Sequence, residues 1–438
     1  MMLDIDEHVQ AAQRLVRRRA AESHLLKTYA MESQPDTHRT PPPLLNQLVD
    51  QLIRIIGTVY GHFQANRKGR RKMAISRRSV VGGIILSPAV SMLGGTNISH
   101  SAESAGQWRS YHDYLSERTA AGEFSGTVLV ADGDRGGRPV LAQGYGMADR
   151  GRGIANTVQT RFCIASMGKM FTAVAVAQLV QRGRLTFHDT IGRYVPGFPP
   201  EIADRVTIHH LLTHTSGMGD VLFPPSGEEP PHTLAGLMEI IVGKPLLFEP
   251  GAQFGYSNSG FIVLGALLER VTGHDYAAHI RKHIFQPAAM TRTRIDVYRP
   301  KDVSGMAHGY ALVEGTLKDI SDSVQIGNPS GGAYSTVVDM YRFSRALTRH
   351  RLLSPAFTET VITGKLDIPS HAPGLRYGYG FLEEKRNAIR FVGHNGGTPG
   401  YQCQMDIYPD LGHTVVVLTN QDKAVAPAII RSQELLTQ

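Results

Sequence analysis

The spacing of apolar residues from residue 107 onward predicts strands at the two ends of this region and helices between them. Residues 107–121 place large apolar side chains at helical spacing, which predicts an amphipathic helix. Two strand-like runs follow, Gly126–Asp132 and Pro139–Tyr145, and the glycine-rich segment between them favours a hairpin.

Later segments repeat both patterns. Met167–Arg182 is rich in alanine and valine and ends at Gly183, as helices commonly do. Gly260–Thr272 predicts a second helix, and Ala426–Leu436 predicts a closing one. The strand pattern returns near the end of the chain in three runs, Ile389–His394, Gly400–Tyr408 and His413–Asn420.

Strands at both ends with helices in the middle are typical of a mixed fold. We therefore predict an α/β (α+β) domain over residues 103–438, in which an antiparallel sheet built from N- and C-terminal strands is flanked by helices. The α/β part comprises about residues 107–184 and 331–438 in this prediction. A mainly helical domain, about residues 185–330, is inserted between them.

The N-terminal region carries the pattern of an export signal. Arg77 and Arg78 precede a mildly apolar run, Val80–Leu93, that is too short to span a bilayer. This pattern resembles a twin-arginine signal. We expect residues 73–102 to be that signal, and residues 1–72 to be an extension that is disordered or precedes the true start. The protein is then periplasmic or secreted; a basic tail on a cytoplasmic protein is the alternative.

Composition and charge exclude several classes of protein. The chain has 438 residues, of which 42% are hydrophobic and 19% charged, so it can bury a large core. Its net charge is +8, but residues 1–100 contain 14 Lys and Arg against 7 Asp and Glu. The rest is nearly neutral and lacks the basic surface that nucleic-acid binding needs. We also expect no integral membrane span after removal of the signal, because no apolar run reaches about eighteen residues.

Ser166 and Lys169 form the first candidate catalytic pair. Residues three apart lie on one face of a helix, within a turn. A serine at a helix N-terminus gains from the local positive potential when it develops negative charge, and a partly desolvated lysine beside it could activate it. Among the 11 lysines only Lys169 has a serine three residues before it. An N-cap serine with an ordinary exposed lysine is the alternative.

Two later motifs add groups that such a pair would use. Tyr256-Ser257-Asn258 follows a Pro-Gly turn, and a phenol near a lysine could act as a general acid or base. His394-Asn395-Gly396-Gly397 ends a predicted strand, and its glycines allow a substrate to lie close to backbone amides. Taken alone, each motif is equally consistent with a structural element, a loop tyrosine followed by a helix cap or a glycine-rich strand end.

Taken together and in this order, the three motifs resemble those of the serine β-lactamase and penicillin-binding protein superfamily. The resemblance is strongest for its class C-like branch, which includes esterases and D-aminopeptidases. Two further segments fit this branch: Leu211–Gly217, which reads Leu-Leu-Thr-His-Thr-Ser-Gly, and Pro329–Thr336, which contains two adjacent glycines. The resemblance extends from about Phe124 to Asn420.

The resemblance implies a role for each motif residue. Ser166 is the nucleophile that becomes acylated. Lys169 helps to deprotonate it and keeps Tyr256 acidic, and Tyr256 relays protons. The backbone N–H groups of Ser166 and Gly397 form the oxyanion hole. The implied substrate-binding residues are Asn258, His394, Asn395 and Gly396.

One departure from the family bears on the substrate. Class C β-lactamases carry Lys-Thr-Gly in the third motif, where this chain has His394-Asn395-Gly396. A histidine of pKa about 6.5 is mostly neutral at pH 7, so it lacks the fixed charge that binds a substrate carboxylate. We therefore expect a serine hydrolase (EC 3) that forms an acyl-enzyme on an ester, an amide or a cell-wall peptide, of the carboxylesterase or D-amino-acid peptidase type. A β-lactamase or DD-peptidase is the first alternative, and a protein of this fold that binds a muropeptide or a partner without turnover is the second.

Two further pairs of residues are candidate sites. His210 and His214 have a spacing that can bind zinc on one helical face, but no third ligand is evident, and we expect neither a metal nor another cofactor. Cys163 and Cys403 could form a disulfide if the protein is exported. The sequence leaves their pairing open.

Overall fold

The structure is a computed structural model that describes residues 96–133, 136, 138–222, 230–368 and 374–437. Within residues 96–105 it describes the backbone alone. The predicted extension over residues 1–72 and the arginine pair with its apolar run therefore lie outside the described residues. No helix within the described part of the chain is long and apolar enough to cross a membrane.

The described residues form both helices and strands. The α-helices are α1 Thr96–Ala120, α2 Lys169–Gln181, α3 Pro200–Ala203, α4 Ile208–Leu212, α5 Leu234–Val242, α6 Asn258–Thr272, α7 Tyr276–Ile280, α8 Val337–Thr348, α9 Pro355–Ile362 and α10 Val425–Leu436. Short 3₁₀ turns lie at Ala165–Gly168, Ile191–Arg193 and Pro300–Asp302, and a π-helical turn lies at Arg281–Phe285. The strands are β1 Gly126–Asp132, β2 Arg138–Tyr145, β3 Met147–Asp149, β4 Ile154–Ala155, β5 Phe162–Cys163, β6 Val297–Tyr298, β7 Tyr310–Val313, β8 Thr316–Asp319, β9 Gln325–Ile326, β10 Tyr334–Ser335, β11 Leu366–Asp367, β12 Leu375–Tyr377, β13 Leu382–Arg386, β14 Ile389–Thr398, β15 Tyr401–Tyr408 and β16 His413–Thr419.

Strands from both ends of the folded region form one sheet, as predicted. Among the described residues its order is β11-β12-β13-β14-β15-β16-β1-β2. Strands β1 and β16 pair antiparallel, with Val128 opposite Val417. This pairing joins two segments of the chain that are almost 300 residues apart in sequence. The predicted hairpin of β1 and β2 is also present. The N- and C-terminal strands are therefore hydrogen-bonded neighbours.

Helices cover both faces of this sheet. Val128 and Val130 pack in one apolar cluster with Tyr111 of α1 and with α10. Leu129 and Ala131 point the other way, into the larger cluster that contains α2. Because both faces are covered, all seven residues of β1 are buried, and its residues 128–131 are a continuous apolar run rather than an alternating one.

Helix α2 lies within the larger core and carries the first catalytic motif. The predicted helix Met167–Arg182 begins instead as a 3₁₀ turn, Ala165–Gly168, and becomes α-helical at Lys169. Eleven of its residues are buried, including Lys169. A helix that is apolar on all sides is buried on all sides. Lys169 is therefore buried because the apolar residues of the same helix pack in the core.

Two parts of the fold differ from the prediction. The segment predicted to be mainly helical contains α3–α7, but it also contains the strands β6–β9, of which β7 and β8 form a hairpin. The sheet also extends further than predicted, through β11, β12 and β13. These strands have two to five residues each, and runs this short carry little periodicity in the sequence.

Candidate active site

Ser166 lies on a strained turn at the start of α2. The preceding residue, Ala165, has a φ of 41°, which is unusual for a residue with a side chain. Gly332 N–H donates to the Ala165 carbonyl, and a Cβ on Gly331 would lie 2.5 Å from the same oxygen. The adjacent glycines of the segment Pro329–Thr336 therefore let this segment pass directly against the serine turn.

Lys169 is the central residue of the site. Its Nζ lies 3.2 Å from Ser166 Oγ and donates to Asn258 Oδ1 and to the Ser330 carbonyl oxygen, both at 2.7 Å. The two oxygens of Asn258 and Ser330 can only accept hydrogens. In the neutral amine they therefore bind both N–H groups, and the lone pair is left for Ser166.

Burial changes the protonation of Lys169. The side chain is 0% exposed, and this burial lowers its pKa to about 7, while the nearby carboxylate of Asp220 acts in the opposite direction. At neutral pH a substantial fraction of the lysine is therefore an uncharged amine that can accept a proton.

Tyr256 completes the contacts of the nucleophile. Its hydroxyl donates to Ser166 Oγ at 2.9 Å, and its ring stacks on His214 with centroids 4.2 Å apart. The side chain is 44% exposed, yet the protein atoms packed around the hydroxyl raise its pKa, and Asp220 raises it further.

The expectation that Lys169 keeps Tyr256 acidic is therefore not met by this geometry. The Lys169 Nζ lies 4.8 Å from the Tyr256 ring centroid, over the ring face rather than at the hydroxyl. In this position the cation contacts the π-electrons and does not pair with a phenolate. The tyrosine stays protonated and is suited to donate a proton.

Asn258 is bound to protein at both ends of its side chain. Its Oδ1 accepts from Lys169, and its Nδ2 donates to Asp220 Oδ2 at 2.6 Å. It begins α6, whose N-cap is Ser257, so the helix start fixes its position. In this structure Asn258 links Asp220 to Lys169, and its predicted role in orienting the substrate stays a prediction.

Asp220 is a site residue that the motifs did not identify. It follows the Leu211–Gly217 segment by three residues, is exposed, and binds both the side chain and the backbone N–H of Asn258. Its place just after a recognised loop motif was the available sequence indication. An aspartate there is also a common loop residue, which is why the pattern alone did not single it out.

The third motif runs along β14, beside the serine turn. A Cβ on Gly396 would lie 2.5 Å from the Ile164 carbonyl and 3.0 Å from Ser166 N, so only glycine allows this approach. Asn395 and Gly397 are partly exposed on either side of it. The strand thus places this backbone next to the nucleophile, and the oxyanion hole of the Ser166 and Gly397 N–H groups stays a prediction.

His394 is placed differently from the prediction. It was expected to bind substrate, but it is 3% exposed, and its Nε2 lies 3.0 Å from the Tyr377 hydroxyl. Its Nδ1 lies 2.5 Å from the Asn395 carbonyl oxygen. Burial, with a contribution from the charge of Lys169, lowers its pKa to about 3. His394 is therefore a neutral, internal residue, because successive side chains of a strand point to opposite faces and this one points inward.

The other two candidate pairs are the histidines His210 and His214 and the cysteines Cys163 and Cys403. His210 Nδ1 accepts from Thr207 N–H, and His214 Nδ1 accepts from Ser257 N–H. Within the described residues no group of His, Cys, Asp or Glu has an arrangement that could hold a metal ion. Cys163 and Cys403 are both buried free thiols.

Comparison with known protein families matches residues 115–437 to the family described as Beta-lactamase. The chain belongs to the beta-lactamase family. Its predicted resemblance to this superfamily is thereby confirmed.

Individual relatives of this family member point the same way. It is 30% identical to penicillin-binding protein 4* of Bacillus subtilis, over 71% of this chain and 72% of that one. It is 36% identical to the esterase EstB of Burkholderia gladioli, over 36% of this chain and 44% of that one. The crystal structure of a penicillin-binding protein from Bacillus halodurans is 32% identical, has a TM-score of 0.66, and matches 74% of this chain and 98% of that one. The predicted mixed fold with its large antiparallel sheet is thus confirmed.

Proposed function

We propose that this beta-lactamase family member is a serine hydrolase that cleaves an ester or amide through an acyl-enzyme on Ser166. The observation that carries the proposal is the position of Ser166 Oγ, 3.2 Å from Lys169 Nζ and 2.9 Å from the Tyr256 hydroxyl. A nucleophile, a base and a proton donor within hydrogen-bond reach of one another form the constellation that acyl transfer needs.

Each group has one task in acylation. The neutral Lys169 amine accepts the proton of Ser166, whose oxygen attacks the carbonyl carbon. Backbone N–H groups of Ser166 and Gly397 stabilise the oxyanion of the tetrahedral intermediate. As the intermediate collapses, Tyr256 donates a proton to the leaving group. A water molecule that enters the site then carries the proton from Lys169 to the tyrosine oxygen, so both groups return to their starting state.

Deacylation uses the same groups with water as the nucleophile. Water attacks the acyl carbon and gives a proton to the Lys169 amine. The Ser166 oxygen then leaves and takes that proton back, which releases the carboxylic acid and restores the free enzyme. No glutamate is needed for this step, since Lys169 lies 3.2 Å from the oxygen that departs.

The third motif favours substrates that carry no carboxylate near His394, where class C β-lactamases have a lysine. His394 is neutral and bonded to Tyr377, so it offers no positive charge to an anionic substrate. A neutral ester or amide needs no positive charge from the protein for binding, and the relative EstB is an esterase. The second candidate function is β-lactamase or DD-peptidase activity, which the similarity to penicillin-binding protein 4* favours.

Intact mass spectrometry of the full chain tests these functions against each other. The protein is treated separately with a fluorophosphonate, a p-nitrophenyl ester and benzylpenicillin. We expect a fluorophosphonate adduct, which mass spectrometry after digestion places on the peptide that contains Ser166. We also expect release of p-nitrophenol from the ester and no lasting penicillin adduct. A stable penicillin adduct supports the DD-peptidase function instead, and consumption of benzylpenicillin without a lasting adduct supports the β-lactamase function. Absence of any adduct and of turnover contradicts both, and leaves a protein that binds a ligand without acylation.

Asp220 gives the proposal a pH test. Only the neutral Lys169 amine acts as the base, so kcat/KM is expected to rise with pH and level off above the lysine pKa of about 7. The Asp220 carboxylate raises that pKa. Asp220→Asn removes the charge and is expected to move the acidic limb of the profile to lower pH, by about one pH unit.

The control for this variant is Asp204→Asn, which removes another exposed carboxylate. Its pH profile is expected to match that of the wild type. An acidic limb in Asp220→Asn that stays in place, or moves to higher pH, contradicts the assignment of Lys169 as the titrating base.

We further propose that the protein is exported and acts in the periplasm or outside the cell. The support for this proposal is the sequence alone: Arg77 and Arg78 directly precede the apolar run Val80–Leu93. A cell-wall peptide or a small ester would be available to the enzyme in that compartment.

A further inference from the structure

Three aromatic side chains form a buried chain of hydrogen bonds behind the active site. His214 Nε2 lies 3.0 Å from the Tyr377 hydroxyl, and that hydroxyl lies 3.0 Å from His394 Nε2. All three side chains are almost completely buried. They come from three separate segments: the loop after α4, the end of β12, and β14.

The donors and acceptors in this series of hydrogen bonds can be ordered in only one direction. Ser257 N–H donates to His214 Nδ1, so the proton of the neutral His214 ring must be on Nε2, which then donates to Tyr377. The Tyr377 hydroxyl in turn donates to His394 Nε2. The remaining proton of His394 is on Nδ1, which donates to the Asn395 carbonyl. Every donor and acceptor in the chain has a partner only with this polarity.

Burial keeps both histidines in the required state. Desolvation lowers the pKa of His214 well below 6.5, and it lowers that of His394 to about 3. Lys169 also disfavours a charge on either ring. Both rings are therefore neutral at physiological pH, and each has one donor and one acceptor nitrogen.

We propose that His214, Tyr377 and His394 act as a positioning relay. The relay holds the general acid, Tyr256, and strand β14 in place around Ser166. The inference rests on the proposed hydrolase function and assigns positioning residues to it. One end of the relay holds Tyr256, because the His214 ring stacks on it and also accepts from the next peptide N–H. The other end holds the peptide of Asn395, just before Gly396 passes the nucleophile.

The backbone of His214 supports a functional role. Its φ of 58° lies in the left-handed region, where a residue with a side chain is strained and persists only when its surroundings hold it there. The ring has a hydrogen bond at each nitrogen, to Ser257 and to Tyr377. Those two bonds hold the ring against Tyr256 and fix the direction in which the phenol points.

The relay predicts the effect of removing one oxygen atom. Tyr377→Phe keeps the ring but leaves His214 Nε2–H and His394 Nε2 unpaired, so Tyr256 and β14 lose their alignment. We expect kcat for an ester to fall about 10- to 100-fold, the range for small misplacements of catalytic groups, while KM changes less than about threefold. The second expected result is rescue: His394→Gln, whose side-chain oxygen can accept from Tyr377, keeps most of the kcat that His394→Leu loses.

Tyr379→Phe is the matched control. Tyr379 lies two residues further along the chain, is also buried, and its hydroxyl is bonded to a histidine ring, that of His209 at 2.9 Å. This variant loses a tyrosine–histidine hydrogen bond of the same kind outside the relay. We expect its melting temperature to fall about as much as that of Tyr377→Phe, with kcat unchanged. Equal kcat losses in the two variants overturn the relay.

A direct measurement keeps the relay falsifiable if Tyr377→Phe does not fold. The protein has 19 histidines. With ¹⁵N-labelled histidine, NMR of the wild-type protein is expected to show the neutral His214 ring with its proton on Nε2 and the neutral His394 ring with its proton on Nδ1. His394→Gln removes the second set of resonances and assigns it. The opposite tautomers overturn the relay. If the fluorophosphonate fails to label the wild-type protein, the hydrolase function and the relay fall together; if it labels while the tautomers are wrong, only the relay falls.

Discussion

Ser166→Ala is expected to lower kcat for a p-nitrophenyl ester by at least about 10⁴-fold, the scale of loss when a catalytic nucleophile is removed. Without the hydroxyl oxygen Lys169 has no nucleophile to deprotonate, and no acyl-enzyme can form. The side-chain contacts of Ser166 are its two hydrogen bonds with these residues, so the fold keeps its other interactions. The melting temperature is therefore expected to stay close to that of the wild type, which circular dichroism will measure.

The control for this variant is Ser116→Ala, on the exposed side of α1, where the hydroxyl donates only to the backbone of His112. Its kcat is expected to equal that of the wild type. Activity of Ser166→Ala within about tenfold of the wild type would show that another group is the nucleophile. Fluorophosphonate labelling that persists in Ser166→Ala would lead to the same conclusion and would identify the residue.

Lys169→Arg is expected to lower kcat by at least about 10³-fold at pH 8, because a guanidinium stays protonated and cannot accept the proton of Ser166. The substitution keeps a positive charge at this place, so it separates two roles of the lysine. If Lys169 acts as the base, Lys169→Arg and Lys169→Met are both almost inactive. If it acted only as a fixed cation, the arginine variant would retain far more activity than the methionine variant.

Lys365→Arg is the matched control for the larger side chain. Lys365 is a partly buried lysine that lies over the Tyr379 ring, and its replacement tests whether the fold tolerates a guanidinium in place of a partly buried amine. We expect nearly full activity. Steady-state kinetics at pH 8, with circular dichroism on each variant, checks both predictions.

Local patterns in the sequence were sufficient for much of the fold. The helix Gly260–Thr272 was predicted within two residues of its observed start, and β1 was predicted with its observed bounds. Apolar periodicity depends on the contiguous chain, and a segment with a strong pattern forms the same element in most contexts. The pairing of strands from the two ends followed from the order of the elements alone.

The catalytic pair was also predictable, for a similar reason. Ser166 and Lys169 are three residues apart, so any helical turn brings them together. The observed turn is partly 3₁₀, but the spacing still places Nζ 3.2 Å from Oγ. Tyr256 was predicted from its motif, and the fold places its hydroxyl at the same oxygen.

What the tertiary structure decided is the environment of these residues. The sequence assigned His394 to the substrate and an acidic phenol to Tyr256, whereas packing turned His394 inward to Tyr377 and placed the Lys169 cation over the tyrosine ring. Asp220 entered the site in the same way, through Asn258. The physical reason is that burial, pKa and hydrogen-bond partners depend on which distant segments pack together. The oxygens that bind Lys169 lie 89 and 161 residues away along the chain, and no local pattern records that distance. The sequence determined which groups take part and which elements carry them, and the packing of those elements determined their charge and orientation.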